Sequence, residues 1–192
     1  MSMATTPSQM TDLGTKAPQF TLANVLTGQK TTLDDFGSRR ALLVMFICKH
    51  CPYVIHVKPA LIALAKDYSD RSLGIVGISS NDAARYPDDA PEHLAILAAE
   101  LHFPLLYDET QAVAKAYRAA CTPDFFLFDS NRILVYRGQL DDSRPGNHKP
   151  LTGKDLRNAI DAVLSGTAVD PNQRASIGCN IKWKPGNEPD YA

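Results

Sequence analysis

The stretch Phe46-Ile47-Cys48-Lys49-His50-Cys51-Pro52 joins an apolar segment to a segment with helical periodicity. Residues 42–47 are apolar without alternation, which is typical of a strand that is covered on both faces in a central sheet. After Pro52 the apolar residues recur at three- and four-residue steps, which predicts a helix that contains Pro59. The sequence therefore places a CxxC cysteine pair between a buried strand and the first turn of a helix.

This position favours thiol chemistry at Cys48 and Cys51. The CxxC spacing lets the two sulfurs meet, and the helix N-terminus offers unpaired N–H groups and partial positive charge. Lys49 and His50 add cationic groups, so we expect the pKa of Cys48 to lie below its ordinary value of about 8.5. The prediction is that Cys48 attacks disulfides and that Cys51 resolves the mixed disulfide. The alternative is a pair of structural cysteines that happen to be close.

The composition limits the classes of partner. The chain has 192 residues and four cysteines, and a folded chain of this size needs no disulfide support for its core. Its 20 basic and 21 acidic residues give a net charge of -1, which offers no cationic field for nucleic acid or an anionic membrane. The apolar run 41–47 is far shorter than the roughly 18 residues of a membrane span. We therefore expect neither nucleic acid nor a membrane as partner.

The expected compartment is the cytoplasm. Residues 1–16 carry neither the cationic start nor the apolar stretch of a secretory signal. In a reducing cytoplasm a close cysteine pair is more often catalytic or metal-binding than structural.

Strand and helix patterns alternate along the chain and predict an α/β fold, with a central mixed β-sheet flanked by helices. Residues 20–36 predict an N-terminal β-hairpin around Gly28, and residues 103–107 predict a short edge strand. The expected organisation is a flexible N-terminal segment (1–16), one domain (17–168) and a C-terminal tail without clear periodicity that packs on the domain (169–192).

A second motif is Cys121-Thr122-Pro123-Asp124, directly before an apolar strand. A proline that opens a sheet strand lacks a donor for the ladder and is often retained for its geometry, including cis geometry. Together with the upstream CxxC, this motif strengthens the case for a redox site.

The two motifs together resemble the thioredoxin superfamily, in which a cis proline lies beside the CxxC pair. The opening Ala17-Pro18-Gln19-Phe20-Thr21-Leu22 resembles its peroxiredoxin-like branch (redoxin, AhpC/TSA type). Further segments resemble bacterial peroxiredoxin-like proteins with a thioredoxin-type CxxC: Ser80-Asn81-Asp82 with Tyr86-Pro87, residues 141–146 and residues 176–183. The resemblance implies a thioredoxin-like fold and a thiol-disulfide oxidoreductase, with Lys49, His50, Thr122 and Pro123 as supporting residues.

A thiol-dependent peroxidase is the first alternative. Peroxiredoxins carry a P-x-x-x-T-x-x-C motif, and this chain departs from it in both possible registers. The Pro and Thr positions hold Ala41 and Met45 when counted from Cys48, and Val44 and Cys48 when counted from Cys51. A cysteine in place of the threonine favours dithiol exchange, and slow peroxide reduction by a thiolate stays open.

Metal binding is the second alternative. Soft ligands for zinc or Cu(I) are present: Cys48, His50, Cys51, Cys121 and Cys179. A structural zinc site usually takes two close pairs, and the chain has one CxxC, so no metal and no cofactor is expected. The expected partners are a disulfide-containing protein, a small thiol or a peroxide as substrate, and a thioredoxin or glutathione system as electron donor.

The two remaining cysteines, Cys121 and Cys179, are candidate auxiliary thiols. Cys121 precedes Pro123, so it is either a buried structural thiol or a contact for substrate. Cys179 lies in the tail near Trp183, where it is either structural or an extra resolving thiol that folds over the site. The net direction of exchange stays open, because the His beside the second cysteine favours an oxidant and the cytoplasm favours a reductase.

Overall fold

The computed structural model describes residues 5–69 and 72–191. Its strands are β1 (Thr5–Pro7), β2 (Thr21–Asn24), β3 (Lys30–Thr32), β4 (Ala41–Phe46), β5 (Leu73–Ser79), β6 (Leu105–Tyr107), β7 (Cys121–Thr122), β8 (Asp124–Phe128), β9 (Leu134–Gly138) and β10 (Ile177–Asn180). Its α-helices are α1 (Pro52–Asp67), α2 (Pro91–Leu101), α3 (Ala112–Ala116) and α4 (Lys154–Ser165). Across these described residues, no helix combines the length and the apolar character needed to cross a membrane.

A seven-stranded sheet in the order β3-β2-β6-β5-β4-β8-β9 forms the centre of the molecule. β4, β5 and β6 run parallel, and the other neighbours pair antiparallel, so the sheet is mixed as predicted. The central strand β4 is buried along its whole length, because helices cover both faces of the sheet. Its alternate side chains divide between two cores: Ala41, Leu43 and Met45 face α1, α2 and α4, while Leu42, Val44 and Phe46 face α3.

Local patterns describe β2 and β3 well but not the position of their neighbour β6. β2 and β3 form the predicted N-terminal hairpin, with Leu22 opposite Thr31. The edge position predicted for residues 103–107 is wrong, because β6 lies between β2 and β5. Leu105 and Leu106 are completely buried there. The antiparallel pairing of β6 with the N-terminal hairpin is a long-range contact that local periodicity does not show.

A second, three-stranded sheet has the order β1-β10-β7. Its strand β1 lies within the segment 1–16, for which the sequence predicts flexibility; residues 1–4 lie outside the described part. The tail, described as far as residue 191, contributes β10 and places Ile181 and Trp183 in the core beside α3. β10 therefore pairs on one side with β7, the segment that precedes Pro123, and on the other with β1.

Gly178 allows the close contact between β10 and β7. A Cβ atom at this position would lie 2.0 Å from the carbonyl oxygen of Thr122 and 3.1 Å from the nitrogen of Pro123. These are backbone atoms, which cannot move aside as a flexible side chain could. A side chain at position 178 would therefore require the backbone itself to shift. The absence of a side chain at Gly178 thus sets the position of its neighbour Cys179.

Candidate active site

The central sheet brings the CxxC pair and the Thr122-Pro123 segment together. Cys48 follows the carboxyl end of β4, and Cys51 is the N-cap residue of α1, which starts with Pro52. β8 runs antiparallel to β4 with Asp124 opposite Phe46, so the preceding Pro123 lies at the same edge of the sheet. The Thr122–Pro123 peptide bond is cis, and the Thr122 hydroxyl is hydrogen-bonded to the Cys48 sulfur at 3.3 Å.

A third cysteine completes this cluster. The Sγ atoms of Cys51 and Cys179 lie 2.9 Å apart and are in direct contact. Cys179 reaches this position because β10 pairs with β7 and sets Cys179 opposite Thr122. All three cysteines are free and almost inaccessible, with 1%, 0% and 2% of their surface exposed for Cys48, Cys51 and Cys179.

The negative charge of the cluster belongs on Cys51 rather than on Cys48. Hydrogen bonds from Cys179 and Cys48 lower the pKa of Cys51 and outweigh the opposing effect of burial. The carbonyl oxygen of Thr122, 3.1 Å from the Cys51 sulfur, accepts a hydrogen bond from the thiol only, so it opposes this charge. We attribute the lowered pKa to the two sulfur donors, to the Thr122 side chain and to the backbone N–H of Val54 in the first turn of α1.

The expectation that Cys48 has a lowered pKa is therefore wrong for the reduced site. Its hydrogen bond to Cys51 is the largest cause that raises the pKa of Cys48, followed by burial and the negative charge of Asp89. The Thr122 hydroxyl opposes this rise. The sequence shows the cations beside Cys48 but not the carboxylate that the fold brings against them.

That carboxylate, Asp89, is a site residue that sequence reasoning missed. It is completely buried and accepts hydrogen bonds from the Lys49 backbone N–H at 2.8 Å and from the Asn81 amide at 2.7 Å. The Asp89 side chain thereby fixes the backbone of the CxxC loop. A topological rule could have found it: Asn81 and Asp89 follow β5, and the carboxyl ends of the parallel strands β4 and β5 meet at one edge.

His50 is the second partner of Asp89. Its Nδ1 atom lies 2.5 Å from Asp89 Oδ2, and because a carboxylate can only accept, Nδ1 is the donor. This hydrogen bond raises the pKa of His50, against the effect of burial. The ring also stacks on Tyr86 with a centroid distance of 5.7 Å and an interplanar angle of 8°. His50 is thus held in a fixed orientation, whereas Lys49 contributes its backbone N–H.

Cys121 lies on β7, next to the cluster in sequence. Its thiol is 3.6 Å from the Pro123 carbonyl oxygen, which it faces as a weak donor. Burial is the main cause that raises the pKa of Cys121 well above its ordinary value. This environment is typical of a structural thiol rather than a nucleophile.

A surface cleft of about 440 Å³ lies elsewhere, between α4 and residues 168–174. Its lining contains no cysteine and no histidine among the described residues. The thiol and imidazole groups of the candidate site therefore lie outside this cleft.

Comparison with solved structures shows two similar proteins over nearly the whole chain. An uncharacterized conserved protein from Geobacillus kaustophilus is 53% identical, with a TM-score of 0.94, over 97% of this chain and 100% of that one. A hypothetical protein from Sinorhizobium meliloti is 50% identical, with a TM-score of 0.92, over 94% of this chain and 100% of that one. A comparison with curated proteins found no match.

The fold is also that of more distant redox proteins. The thioredoxin domain of a thiol-disulfide oxidoreductase from Bacteroides vulgatus has a TM-score of 0.61 at 21% identity, over 80% of this chain and 98% of that one. The fold is therefore thioredoxin-like, as the sequence resemblance implied. The model of the AhpC/TSA family matches residues 13–137. The chain thus belongs to the AhpC/TSA family, a thioredoxin-like family of thiol-disulfide oxidoreductases and peroxiredoxins.

Proposed function

We propose that the protein is a thiol-disulfide oxidoreductase that cycles between a Cys48/Cys51 dithiol and a Cys48–Cys51 disulfide. The observation that carries this proposal is that both sulfurs, at the start of α1, contact Thr122: Cys48 its hydroxyl at 3.3 Å and Cys51 its carbonyl oxygen at 3.1 Å. The cis Thr122–Pro123 peptide and the Thr122 hydroxyl lie directly against the pair. Two adjacent thiols with unequal proton affinity are the arrangement that exchange with a disulfide requires.

The reaction proceeds in two exchange steps. Cys48 attacks one sulfur of the substrate disulfide, its proton passes to the Cys51 thiolate, and one substrate thiolate leaves. Cys51 then gives up the proton and attacks Cys48 in the mixed disulfide, which releases the second substrate thiolate and forms the Cys48–Cys51 bond. Two electrons pass from the enzyme to the substrate. A thioredoxin or glutathione system then returns the enzyme to the dithiol by the reverse exchange.

The burial of the sulfurs places a condition on substrates. With Cys48 and Cys51 at 1% and 0% exposure, a substrate disulfide reaches them only when the surrounding segments move. A small disulfide or an extended peptide segment requires less movement than a folded surface. We therefore propose small disulfides or flexible protein segments as substrates, in the reducing cytoplasm, where the dithiol is the resting state.

Reduction of insulin disulfides with dithiothreitol tests the proposal. We expect activity in the wild type, loss of activity in Cys48→Ser and Cys51→Ser, and retention in Cys121→Ser as the matched control. An inactive wild type contradicts the proposal. A redox titration against glutathione decides the net direction, and a potential well below that of the glutathione couple favours the reductase.

Peroxide reduction is the second candidate, and one contact favours it. The threonine that is missing from the P-x-x-x-T-x-x-C register is supplied in space by Thr122, whose hydroxyl lies 3.3 Å from the Cys48 sulfur. Cys48 would be oxidised to a sulfenic acid as the peroxide O–O bond breaks, and Cys51 would condense with it to release water. A second-order rate with hydrogen peroxide far above that of an ordinary thiolate would place this activity first.

Metal binding is the third candidate. The donor atoms of Cys48, His50 and Asp89 lie within 4.8 Å of one another among the described residues. A structural zinc site takes four ligands, and here the hydrogen bond between His50 and Asp89 joins two of the three. Stoichiometric zinc in protein purified aerobically without added metal would favour this candidate.

A further inference from the structure

The C-terminal strand β10 presents a thiol to the CxxC pair. The Sγ atom of Cys179 lies 2.9 Å from that of Cys51, and the two residues are 128 positions apart in the chain. The contact is held on both sides. Upstream, the Ser176 hydroxyl donates to the Pro123 carbonyl oxygen at 2.6 Å. Downstream, the Lys182 backbone N–H donates to the Asn81 side chain at 2.8 Å, and Asn81 in turn donates to Asp89.

We propose that Cys179 is a third redox-active thiol, which receives the disulfide from the CxxC pair and forms a Cys51–Cys179 bond. This inference rests on the proposed exchange activity of Cys48 and Cys51 and extends it to the C-terminal strand. Cys51 is the shared member of both pairs, because its sulfur contacts that of Cys179 and also lies, with the Cys48 sulfur, against Thr122.

The step is an internal exchange that needs no external oxidant. In the oxidised enzyme the Cys179 sulfur loses its proton and attacks the Cys51 sulfur. The Cys51–Cys179 bond forms as the Cys48–Cys51 bond breaks, and the electron pair of the broken bond goes to Cys48, which takes up a proton. No net oxidation or reduction occurs. The result is a free Cys48 thiol beside an oxidised Cys51, so that the site can engage a second substrate.

Preorganisation explains why Cys179 rather than Cys121 takes this role. Two sulfurs held in contact by flanking hydrogen bonds react with a high effective concentration, because little further ordering is required. The Cys121 thiol, in contrast, faces the Pro123 carbonyl oxygen. Gly178 keeps β10 close enough to β7 for the Cys51 contact, since a Cβ there would collide with Thr122.

Disulfide mapping tests the inference, and the chain is well suited to it. Trypsin cleavage after lysine and arginine, except before proline, puts the four cysteines on four separate peptides: 41–49, 50–66, 119–132 and 175–182. The full-length wild type and the Cys48→Ser variant are oxidised with diamide, which takes up two electrons and two protons per dithiol. The remaining thiols are then alkylated in acid, and the peptides are identified by mass spectrometry without reduction.

In Cys48→Ser we expect most of peptide 50–66 to be linked to peptide 175–182. In the wild type we expect part of peptide 50–66 to be linked to peptide 41–49 and the rest to peptide 175–182. Cys121→Ser should show the same two links. Cys179→Ser should retain only the Cys48–Cys51 link. The inference is overturned if Cys51 and Cys179 are both fully alkylated in oxidised Cys48→Ser and the wild type shows the Cys48–Cys51 link alone.

The wild-type measurement keeps the test decisive if Cys48→Ser does not fold, as judged by its circular dichroism. Failure of the proposed function has a different signature. In that case insulin reduction is absent from the wild type, whether or not the peptide with Cys179 is linked. If insulin reduction is present and the Cys51–Cys179 link is absent, the inference alone fails.

Discussion

The carboxylate of Asp89 holds the imidazole of His50 at 2.5 Å while it also accepts the backbone N–H of Lys49, so one buried side chain orients the middle of the CxxC loop. Neither interaction is visible in the motif itself, because Asp89 lies 39 positions further along the chain from His50. Charge-assisted hydrogen bonds in a buried position contribute more to stability than neutral ones.

The first prediction concerns this pair. Asp89→Asn removes the negative charge that accepts the His50 hydrogen bond and raises the pKa of His50, so that pKa falls. Loss of charge-assisted hydrogen bonds should lower the free energy of unfolding by about 1.5–3 kcal/mol. NMR titration of the His50 ring and urea unfolding measure the two effects. Asp88→Asn, at the exposed neighbouring position, is the control. An unchanged His50 titration in Asp89→Asn contradicts the assignment.

The second prediction is the pH window of the same pair. The pKa of His50 is raised in the folded state. Its contribution to the free energy of unfolding is therefore fully present below about pH 6.5 and is lost as the pH rises through the folded pKa. The pKa of Asp89 is lowered, so its contribution is present above 3.8 and is lost as the pH falls through the folded value.

The difference in unfolding free energy between the wild type and Asp89→Asn should therefore be largest between these limits and decline on both sides. Urea unfolding across a series of pH values measures it. A difference that does not change with pH would contradict the charge on this pair.

The third prediction concerns Asp124, which is completely buried directly after Pro123. Burial raises its pKa to about 7, so the folded protein binds a proton that the unfolded chain has released. The wild type should lose stability as the pH rises from about 4 to about 7, and Asp124→Asn should remove this loss. The variant should gain about 2–4 kcal/mol relative to the wild type at about pH 8.

Urea unfolding of both proteins at acidic and alkaline pH measures this change. Asp34→Asn, at an exposed position, is the control and should follow the wild type. A variant that is less stable than the wild type at every pH would show that the Asp124 carboxylate is needed in its charged form.

The fourth prediction concerns the Thr122 hydroxyl, which lowers the pKa of Cys48 through its hydrogen bond. Thr122→Val keeps the shape of the side chain and removes the hydroxyl, so the pKa of Cys48 rises further. Loss of one hydrogen bond worth about 1 kcal/mol should slow the attack of Cys48 by roughly fivefold. The pH dependence of alkylation of peptide 41–49 measures the change, with Thr122→Ser as the variant that restores the hydroxyl.

The fifth prediction tests the position of β10. Gly178→Ala puts a Cβ atom 2.0 Å from the Thr122 carbonyl oxygen, so β10 must move away from β7. We expect a loss of about 1–3 kcal/mol in unfolding free energy and faster alkylation of Cys179. Asn180→Ala, an exposed position on the same strand, should change neither. A Gly178→Ala protein with wild-type stability and slow alkylation would contradict the contact.

Local patterns were sufficient for much of the fold. The apolar run of β4, the periodicity of α1 after Pro52 and the turn at Gly28 each act over a few residues, so they are visible in the sequence. The interior position of β6 was not visible in the sequence, because it depends on pairing with β2, which lies far earlier in the chain. β10 was missed for the same reason, since it lies in a tail that lacks periodicity and pairs with the distant strands β1 and β7.

The candidate site also combines features that the sequence shows with features that depend on the tertiary structure. The sequence by itself determined that Cys48 and Cys51 lie at a strand–helix junction and that Pro123 opens a neighbouring strand, because these features depend on spacing and backbone chemistry. Only the tertiary structure decided that Asp89 and Cys179 join them and that Cys51 holds the charge. Charge placement depends on burial and on donors from distant segments, and both exist only once the chain has folded.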